Sequence, residues 1–250
     1  MKTPVDRLFR CVMLSKETTR PLTLVIMYFT LYVMSGQSPI RPNMVNVCGA
    51  FGMPTSGRTI VFMVGVITLL TSCITVGFIK LLGKRKLAIS AMLGTALSCM
   101  ALSIYARYNL KDSVFSYNPE TFPTETSNIP QVLFYLMAIF TGFGIPWVLL
   151  GEVFPFRSRA AAQGIAAAAN YVITFLGSKT FIDLEKQVQL WGAFAVYAAF
   201  GFAGTVYLYF YLPETEGKSL EQIESYYSGE YRTFADDPVI NTFKKLKRKT

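Results

Sequence analysis

The most informative feature of this 250-residue sequence is what it lacks. It contains no histidine, which excludes serine–histidine–aspartate triads, histidine metal sites and histidine-based pH switches. Only 16% of its residues are charged and 52% are hydrophobic, a balance that is typical of a membrane protein with several spans. No motif combines a nucleophile, a base and an orienting group. The sequence therefore predicts no enzyme, no cofactor and no metal site.

The cysteines and the glycosylation signals are also sparse. Cys11, Cys48, Cys73 and Cys99 form no CxxC pair, so we interpret them as small apolar residues in or near helices and predict no disulfide framework. No Asn-x-Ser/Thr sequon occurs, so glycosylation cannot mark an outer loop. The segment before the first apolar run has no small-residue cleavage site, and we expect it to be a cytosolic lead-in rather than a signal peptide.

Apolar runs and basic clusters together predict a polytopic membrane protein. The net charge of +9 does not indicate nucleic-acid binding, because the basic residues lie in clusters between apolar runs rather than along one exposed face. About 20 helical residues cross the roughly 30 Å of hydrocarbon in a bilayer, and six runs meet that length. They cover residues 22–46, 60–82, 87–106, 131–150, 160–177 and 190–212. We expect an all-α membrane protein with six transmembrane helices, embedded in the lipid bilayer.

The flanking segments give this bundle an orientation. Bases dominate the lead-in, residues 1–20, and the connection at residues 80–86, whereas acidic residues balance the bases in the connections at 107–130 and 178–189. The positive-inside rule therefore predicts that both termini are cytosolic. In the tail, residues 213–250, Ser219 and Gln222 form a capping-box pattern that predicts a short helix. The basic run at 244–249 is either solvated or in contact with anionic lipid headgroups.

One charged stretch lies directly between two apolar runs. Glu152, Arg157 and Arg159 occupy the sequence Gly-Glu-Val-Phe-Pro-Phe-Arg-Ser-Arg, where charge is costly unless it is paired or functional. We hypothesise that these three residues, with Arg85 and Glu214, form a cytosolic ionic latch, called the inner latch below. The alternative is a static network or a set of orientation signals.

Three cytosolic motifs recur in one order along the chain. Gly-Lys-Arg-Lys begins at Gly83, Gly-Glu-Val-Phe-Pro-Phe-Arg-Ser-Arg begins at Gly151, and Pro-Glu-Thr-Glu-Gly begins at Pro213. This set resembles the sugar porter family of the major facilitator superfamily, and specifically its C-terminal six-helix half, from about residue 20 to residue 223. The resemblance implies sugar transport by alternating access in the plasma membrane.

The resemblance covers one of the two bundles between which this family binds its substrate. We therefore expect a truncated product, an incomplete gene model or an isoform that needs a partner, either the N-terminal six-helix half or a full-length transporter. In the alternative interpretation, the chain is a non-transporting membrane partner that modulates a full-length transporter.

Helix motifs extend the resemblance to possible substrate contacts. Gly144-Ile145-Pro146-Trp147 resembles the family's Gly-Pro-Ile-Pro-Trp with one proline missing, which implies a bend that lets Trp147 line the central cavity. Asn170 before Tyr171 resembles an Asn-Trp pair whose amide binds sugar hydroxyls. The alternatives are a lipid-facing tryptophan and an asparagine that bridges helices.

The first apolar run departs from the hexose-binding pattern. Tyr32 and Val33 stand where hexose porters have two glutamines, and Ser38 replaces an asparagine. Ser-Gly followed by Pro-x-Arg-Pro resembles the facilitated trehalose transporter-like branch, which implies a substrate of the trehalose or hexose class. The resemblance gives Gly36, Ser38 and Asn43 as further substrate-binding residues. Arg41 is either a boundary residue near the outer surface or a gate residue.

Overall fold

The chain is mostly helical. The computed structural model describes residues 15–215, 217–218, 222–223 and 226–227. Its helices are α1 (Lys16–Met34), α2 (Gln37–Ile40), α3 (Met44–Ala50), α4 (Gly57–Leu82), α5 (Lys84–Asn109), α6 (Ile129–Gly142), α7 (Ile145–Glu152) and α8 (Arg159–Tyr211). The predicted capping residue Ser219, the basic run at 244–249 and the lead-in up to residue 14 lie outside the described residues.

Four helical stretches of the described chain are long and apolar enough to cross a membrane. They are Gly57–Leu82, Lys84–Asn109, Ile129–Glu152 and Arg159–Tyr211. Within the last stretch, Gln189 has φ 61° and ψ 174°, which are not helical angles. The break divides α8 into residues 159–188 and 190–211. The two runs that the sequence predicts at 160–177 and 190–212 thus lie in one helical stretch with a single kink.

Glycine and proline divide the first apolar run. Gly36 has φ 122°, a conformation that side chains other than glycine rarely adopt, and α1 ends just before it. Pro39 lies in α2, and Pro42 lies in the 3-10 turn Arg41–Asn43. Proline supplies no backbone N–H and restricts the residue before it. The run predicted at 22–46 therefore covers most of α1, all of α2 and the 3-10 turn, and the first three residues of α3.

The chain forms two compact units, and each has its own packing. Among the described residues, the larger unit comprises 27–146 and 169–215, and the smaller one comprises 15–26, 147–168, 217–218, 222–223 and 226–227. In the core of the larger unit, Phe51 meets the rings of Phe134 and Phe194 edge-on, with centroids 5.8 and 5.3 Å away. All three are nearly fully buried, in an arrangement that aromatic quadrupoles favour.

Hydrogen bonds connect the segments of the smaller unit. The Thr18 hydroxyl donates to the Ser158 hydroxyl at 2.9 Å, and the Arg20 guanidinium donates to the Tyr227 carbonyl at 3.2 Å. These bonds join the start of α1 to the loop before α8 and to the described part of the tail.

Candidate functional site

A helix break between α6 and α7 is the central feature of the larger unit. Gly144 has φ 57°, so the break that the sequence predicts lies at Phe143 and Gly144. Pro146 cannot donate to the carbonyl four residues before it, which is that of Gly142. The Ser72 hydroxyl of α4 donates to this carbonyl at 2.8 Å. A side chain of a neighbouring helix thus replaces the hydrogen bond that the proline removes.

A second hydroxyl stabilises the same break from another helix. The Tyr32 hydroxyl of α1 donates to the Thr141 carbonyl at 2.8 Å. The Thr141 carbonyl also accepts from the Gly144 N–H at 3.3 Å, so Tyr32 adds a second donor there. Ser72 supplies the donor that the Gly142 carbonyl lacks, and buried carbonyls without partners are costly. The helices are also close at this point, because a side-chain carbon at Gly142 would lie 2.8 Å from Cβ of Thr71. Gly142 therefore permits the contact that brings Ser72 within reach.

A groove of about 550 Å³ lies beside this contact. Its lining consists of Arg41, Met44, Val61, Val64, Gly65, Thr68, Leu69 and Ser72. One side chain is cationic, two carry hydroxyls and the others are apolar or lack a side chain. The groove thus combines apolar surface with a few polar groups, the usual composition of a small-molecule site.

The structure distributes the predicted substrate residues over several environments. Asn170 is 6% exposed, and its amide forms no hydrogen bond with another described side chain or backbone group. Trp147 in α7 is 42% exposed. Ser38 and Asn43 are half-buried, and the Ser38 carbonyl accepts from the Ser178 hydroxyl at 3.5 Å. Of the residues named from the sequence, only Arg41 lines the groove.

Gly36 has a packing role that the sequence did not reveal. A side-chain carbon there would lie 3.1 Å from Sγ of Cys99, 3.2 Å from Cβ of Tyr197 and 3.3 Å from Cε of Met137. Because Gly36 has no side chain, the backbone at this turn can pack closely against these three residues. Gly36 is itself buried.

Arg85 and Glu214 lie together in the larger unit. The Glu214 carboxylate accepts from the backbone N–H groups of Lys84 and Arg85 at 3.1 and 3.2 Å, which caps the first turn of α5. The Arg85 guanidinium donates to the Tyr209 carbonyl at 2.7 Å and lies 5.7 Å from the Tyr209 ring centroid. Glu214 thus meets the backbone of Arg85 in this conformation.

The other three residues of the inner latch lie in the smaller unit. Arg157 is exposed, whereas Glu152 and Arg159 are half-buried. Nε of Arg159 donates to the Phe154 carbonyl at 3.4 Å, and Phe154 is fully buried. Arg159 therefore has one partner in the loop that precedes its own helix.

Sequence reasoning missed a second carboxylate that binds a loop. Glu185 of α8 is 0% exposed and accepts from the backbone N–H of Ser116 at 2.6 Å and from the Ser116 hydroxyl at 2.5 Å. Ser116 lies in the long connection between α5 and α6. Sequence reasoning also missed Ser72, although Pro146 signals that the Gly142 carbonyl needs a new donor. No sequence signal identifies which hydroxyl supplies it.

Known proteins resemble the chain in sequence. The family model described as "Sugar (and other) transporter" matches residues 2–227. Facilitated trehalose transporter Tret1 of Drosophila erecta is 27% identical over 223 residues, which are 88% of this chain and 25% of that protein. Facilitated trehalose transporter Tret1 of Culex quinquefasciatus is 27% identical over 224 residues, which are 88% of this chain and 42% of that protein. The chain thus spans 25% to 42% of the length of these two relatives.

Solved structures resemble the chain in fold. The proton:xylose symporter XylE bound to 6-bromo-6-deoxy-D-glucose matches with a TM-score of 0.65 and 25% identity, over 82% of this chain and 42% of that one. A double-tryptophan XylE mutant matches with a TM-score of 0.67 and 24% identity, over 83% and 42% of the two chains. The family match and the long apolar helices identify an integral membrane protein. The chain belongs to the sugar transporter family of the major facilitator superfamily, as its three sequence motifs predicted.

Proposed function

We propose that this chain is the C-terminal, six-helix part of a sugar transporter and takes part in moving a sugar of the trehalose or hexose class by alternating access. Membership of the family supports the general activity. The relatives support the substrate class, because they are trehalose transporters and a xylose symporter. Those relatives are transporters rather than enzymes.

The groove lined by Arg41 and Ser72 is the structural observation that best supports sugar binding. Its volume of about 550 Å³ falls within the range of about 300–1,000 Å³ that is usual for small-molecule sites. A sugar presents apolar ring faces together with hydroxyl groups, and the groove presents the apolar Val61 and Leu69 beside the hydroxyls of Thr68 and Ser72. Arg41 adds hydrogen-bond donors at the same surface, consistent with a gate residue.

Two further contacts follow from the family resemblance. We include Trp147 for ring stacking and Asn170 for hydrogen bonds to hydroxyls, and the buried amide of Asn170 is available for such bonds. Gly36, Ser38 and Asn43 follow from the family resemblance, with Gly36 acting through packing.

The proposed topology has six spans, with both termini in the cytosol of a plasma membrane protein. Four helical stretches have the length and apolar character of spans. The kink at Gln189 supplies a fifth by dividing α8, and the 19-residue α1 begins the sixth. The bases in the last turn of α4 and the first turn of α5 support the cytosolic assignment.

We further propose that the inner latch works at the cytosolic face. Charged pairs contribute little when they are wet and several kcal/mol when they are dry, so they bias an equilibrium between two states. Glu214 already holds α5 through two backbone N–H groups. Arg85, Glu152, Arg157 and Arg159 supply the remaining charges of the latch.

A second candidate function is modulation of a full-length transporter without independent transport. The chain spans 25% of the Tret1 protein of Drosophila erecta and 42% of XylE. Sites formed between two bundles need both of them.

Uptake by reconstituted vesicles distinguishes the two candidates. Vesicles contain the chain alone, a full-length relative alone, or both, and take up labelled trehalose or labelled glucose. Uptake that rises with the amount of this chain supports transport, whereas co-purification with altered uptake by the relative supports modulation. If the chain neither transports, nor binds sugar, nor changes the relative, both proposals fail.

The same assay tests individual residues. Asn170→Ala is expected to weaken sugar affinity about tenfold, in the range of one lost hydrogen bond. Arg159→Gln is expected to lower turnover more than it lowers the amount of protein in the vesicles. Unchanged affinity removes Asn170 from the site, and unchanged turnover removes Arg159 from the latch.

A further inference from the structure

Ser72 has one hydroxyl proton and two carbonyl acceptors. Its Oγ lies 2.8 Å from the Gly142 carbonyl of α6 and 2.9 Å from the Thr68 carbonyl of its own helix. A serine hydroxyl donates one hydrogen bond at a time. The side chain therefore has two alternative bonded states, one between helices and one within α4.

The two acceptors do not need this proton equally. Thr68 lies in the interior of α4 (Gly57–Leu82), where its carbonyl also faces the N–H of the residue four positions later. The Gly142 carbonyl lacks that donor because residue 146 is proline. Donation to Gly142 consequently removes an unsatisfied polar group, and this state is favoured when nothing else supplies a donor.

Ser72 also lines the groove, where its side chain is exposed. A polyhydroxyl ligand in the groove can donate to the Gly142 carbonyl or accept from the Ser72 hydroxyl, and either bond alters the link between α4 and the break. We infer that Ser72 couples occupancy of the groove to the conformation of the broken helix α6–α7. This inference rests on the proposed sugar-binding function, and it assigns Ser72 as a positioning residue.

Tyr32 provides an internal comparison, because it stabilises the break without lining the groove. Its hydroxyl donates to the Thr141 carbonyl at 2.8 Å. Its ring lines a different cavity of about 10 Å³, together with Tyr28, Gly144 and Pro146. That cavity is the size of one water molecule and cannot admit a sugar. Tyr32 should therefore affect the stability of the break but not its response to a ligand.

Hydrogen exchange at the break, measured on the full chain with trehalose as the probe, tests this coupling. In the wild type, saturating trehalose is expected to change the exchange rates of the amides of residues 143–145 and 147–149 by roughly threefold or more. Ser72→Ala should raise those rates roughly fivefold to tenfold without ligand, as expected for one lost hydrogen bond. In that variant, trehalose should no longer change the rates.

Two variants control the experiment. Tyr32→Phe should raise the rates without ligand but keep the response to trehalose, and Ser72→Thr should restore both properties because it retains the hydroxyl. If Ser72→Ala is too unstable to purify, Ser72→Cys gives the same test with a weaker donor.

Equilibrium dialysis of labelled trehalose and glucose separates the two possible failures. If the wild type binds sugar and Ser72→Ala responds to it as the wild type does, the coupling is wrong and the proposed function stands. If the wild type binds neither sugar, the proposed function fails and the coupling fails with it. Loss of the response in Tyr32→Phe as well as in Ser72→Ala would overturn the specific role of Ser72.

Discussion

Two carboxylates of the larger unit, Glu185 and Glu214, each accept two hydrogen bonds from a separate segment of the chain, but in different surroundings. Glu185 is 0% exposed, and both of its donors belong to Ser116, at 2.6 and 2.5 Å. Glu214 is half-buried, and its donors are two successive backbone N–H groups at 3.1 and 3.2 Å. Each acid thus holds a segment of the chain in place through one or two backbone N–H groups. Counting charged residues in the sequence does not reveal this role.

The difference in burial implies a difference in function. Water cannot replace the donors of Glu185, so separating it from Ser116 leaves buried polar groups without partners. Water can reach Glu214, so its bonds to the start of α5 are exchangeable at low cost. Glu185 therefore suits a permanent anchor for the long loop, whereas Glu214 suits a latch that opens and closes.

Removing the buried carboxylate should have the largest effect. Glu185→Ala deprives two donors of their acceptor, each contributing about 1–3 kcal/mol, so we expect a loss of about 3 kcal/mol and a drop in Tm of roughly 6–12 °C. Thermal denaturation in detergent measures it. Glu120→Ala, an exposed acid of the same loop, is the matched control and should change stability by less than about 0.5 kcal/mol. Equal effects of the two variants would mean that Glu185 does not anchor the loop.

An intermediate effect is expected at the turn that Glu214 caps. α4 and α5 are joined by Gly83 alone, with φ 81°, and a side-chain carbon there would lie 2.6 Å from Oε2 of Glu214. Gly83→Ala combines backbone strain of about 1–2 kcal/mol with displacement of the carboxylate, so we expect a loss of about 2 kcal/mol by the same measurement. Gly77→Ala within α4, where the added carbon meets nothing within 4 Å, should not destabilise the protein. Similar stability of the two variants would contradict the steric argument.

The smallest effect is expected for Glu214→Gln. The amide oxygen keeps one acceptor for the first turn of α5, and the charge that favours a helix N-terminus is lost, so we expect a loss of about 0.5–1 kcal/mol. Stability in detergent at low and at high salt separates the contribution of the lost charge from that of the lost acceptor, because salt screens only the charge. A loss as large as that of Glu185→Ala would remove the contrast between an anchor and an exchangeable latch.

Much of the fold could be predicted from the order of apolar runs and charges, but one kind of boundary could not. The fifth run ends in the sequence near Gly177, where Lys179 and Asp183 begin to interrupt the hydropathy, yet the helix continues to Val188. Hydropathy reports contact with hydrocarbon, whereas a helix is continued by its backbone hydrogen bonds. Charged residues therefore end an apolar run without ending the helix that contains it.

The candidate site was predictable at Arg41 and where the backbone itself is constrained. Pro146 and Gly144 indicate a break from the sequence alone, because one lacks an N–H and the other permits φ 57°. The partners Tyr32 and Ser72 are 114 and 74 positions before Pro146 in the chain. Only packing brings them to the break. Thr68, which shares the groove with Arg41, was missed for the same reason.

The hydrogen bond from Ser72 to Gly142 also relates two distant positions in evolution. Pro146 creates the need for a donor at the Gly142 carbonyl, and Ser72 meets it at 2.8 Å. Where a homologue has a residue with a backbone N–H at the position of Pro146, the helix can satisfy that carbonyl itself, and selection on the hydroxyl at the position of Ser72 is relaxed. The two positions are therefore expected to covary, although they are 74 positions apart in the sequence.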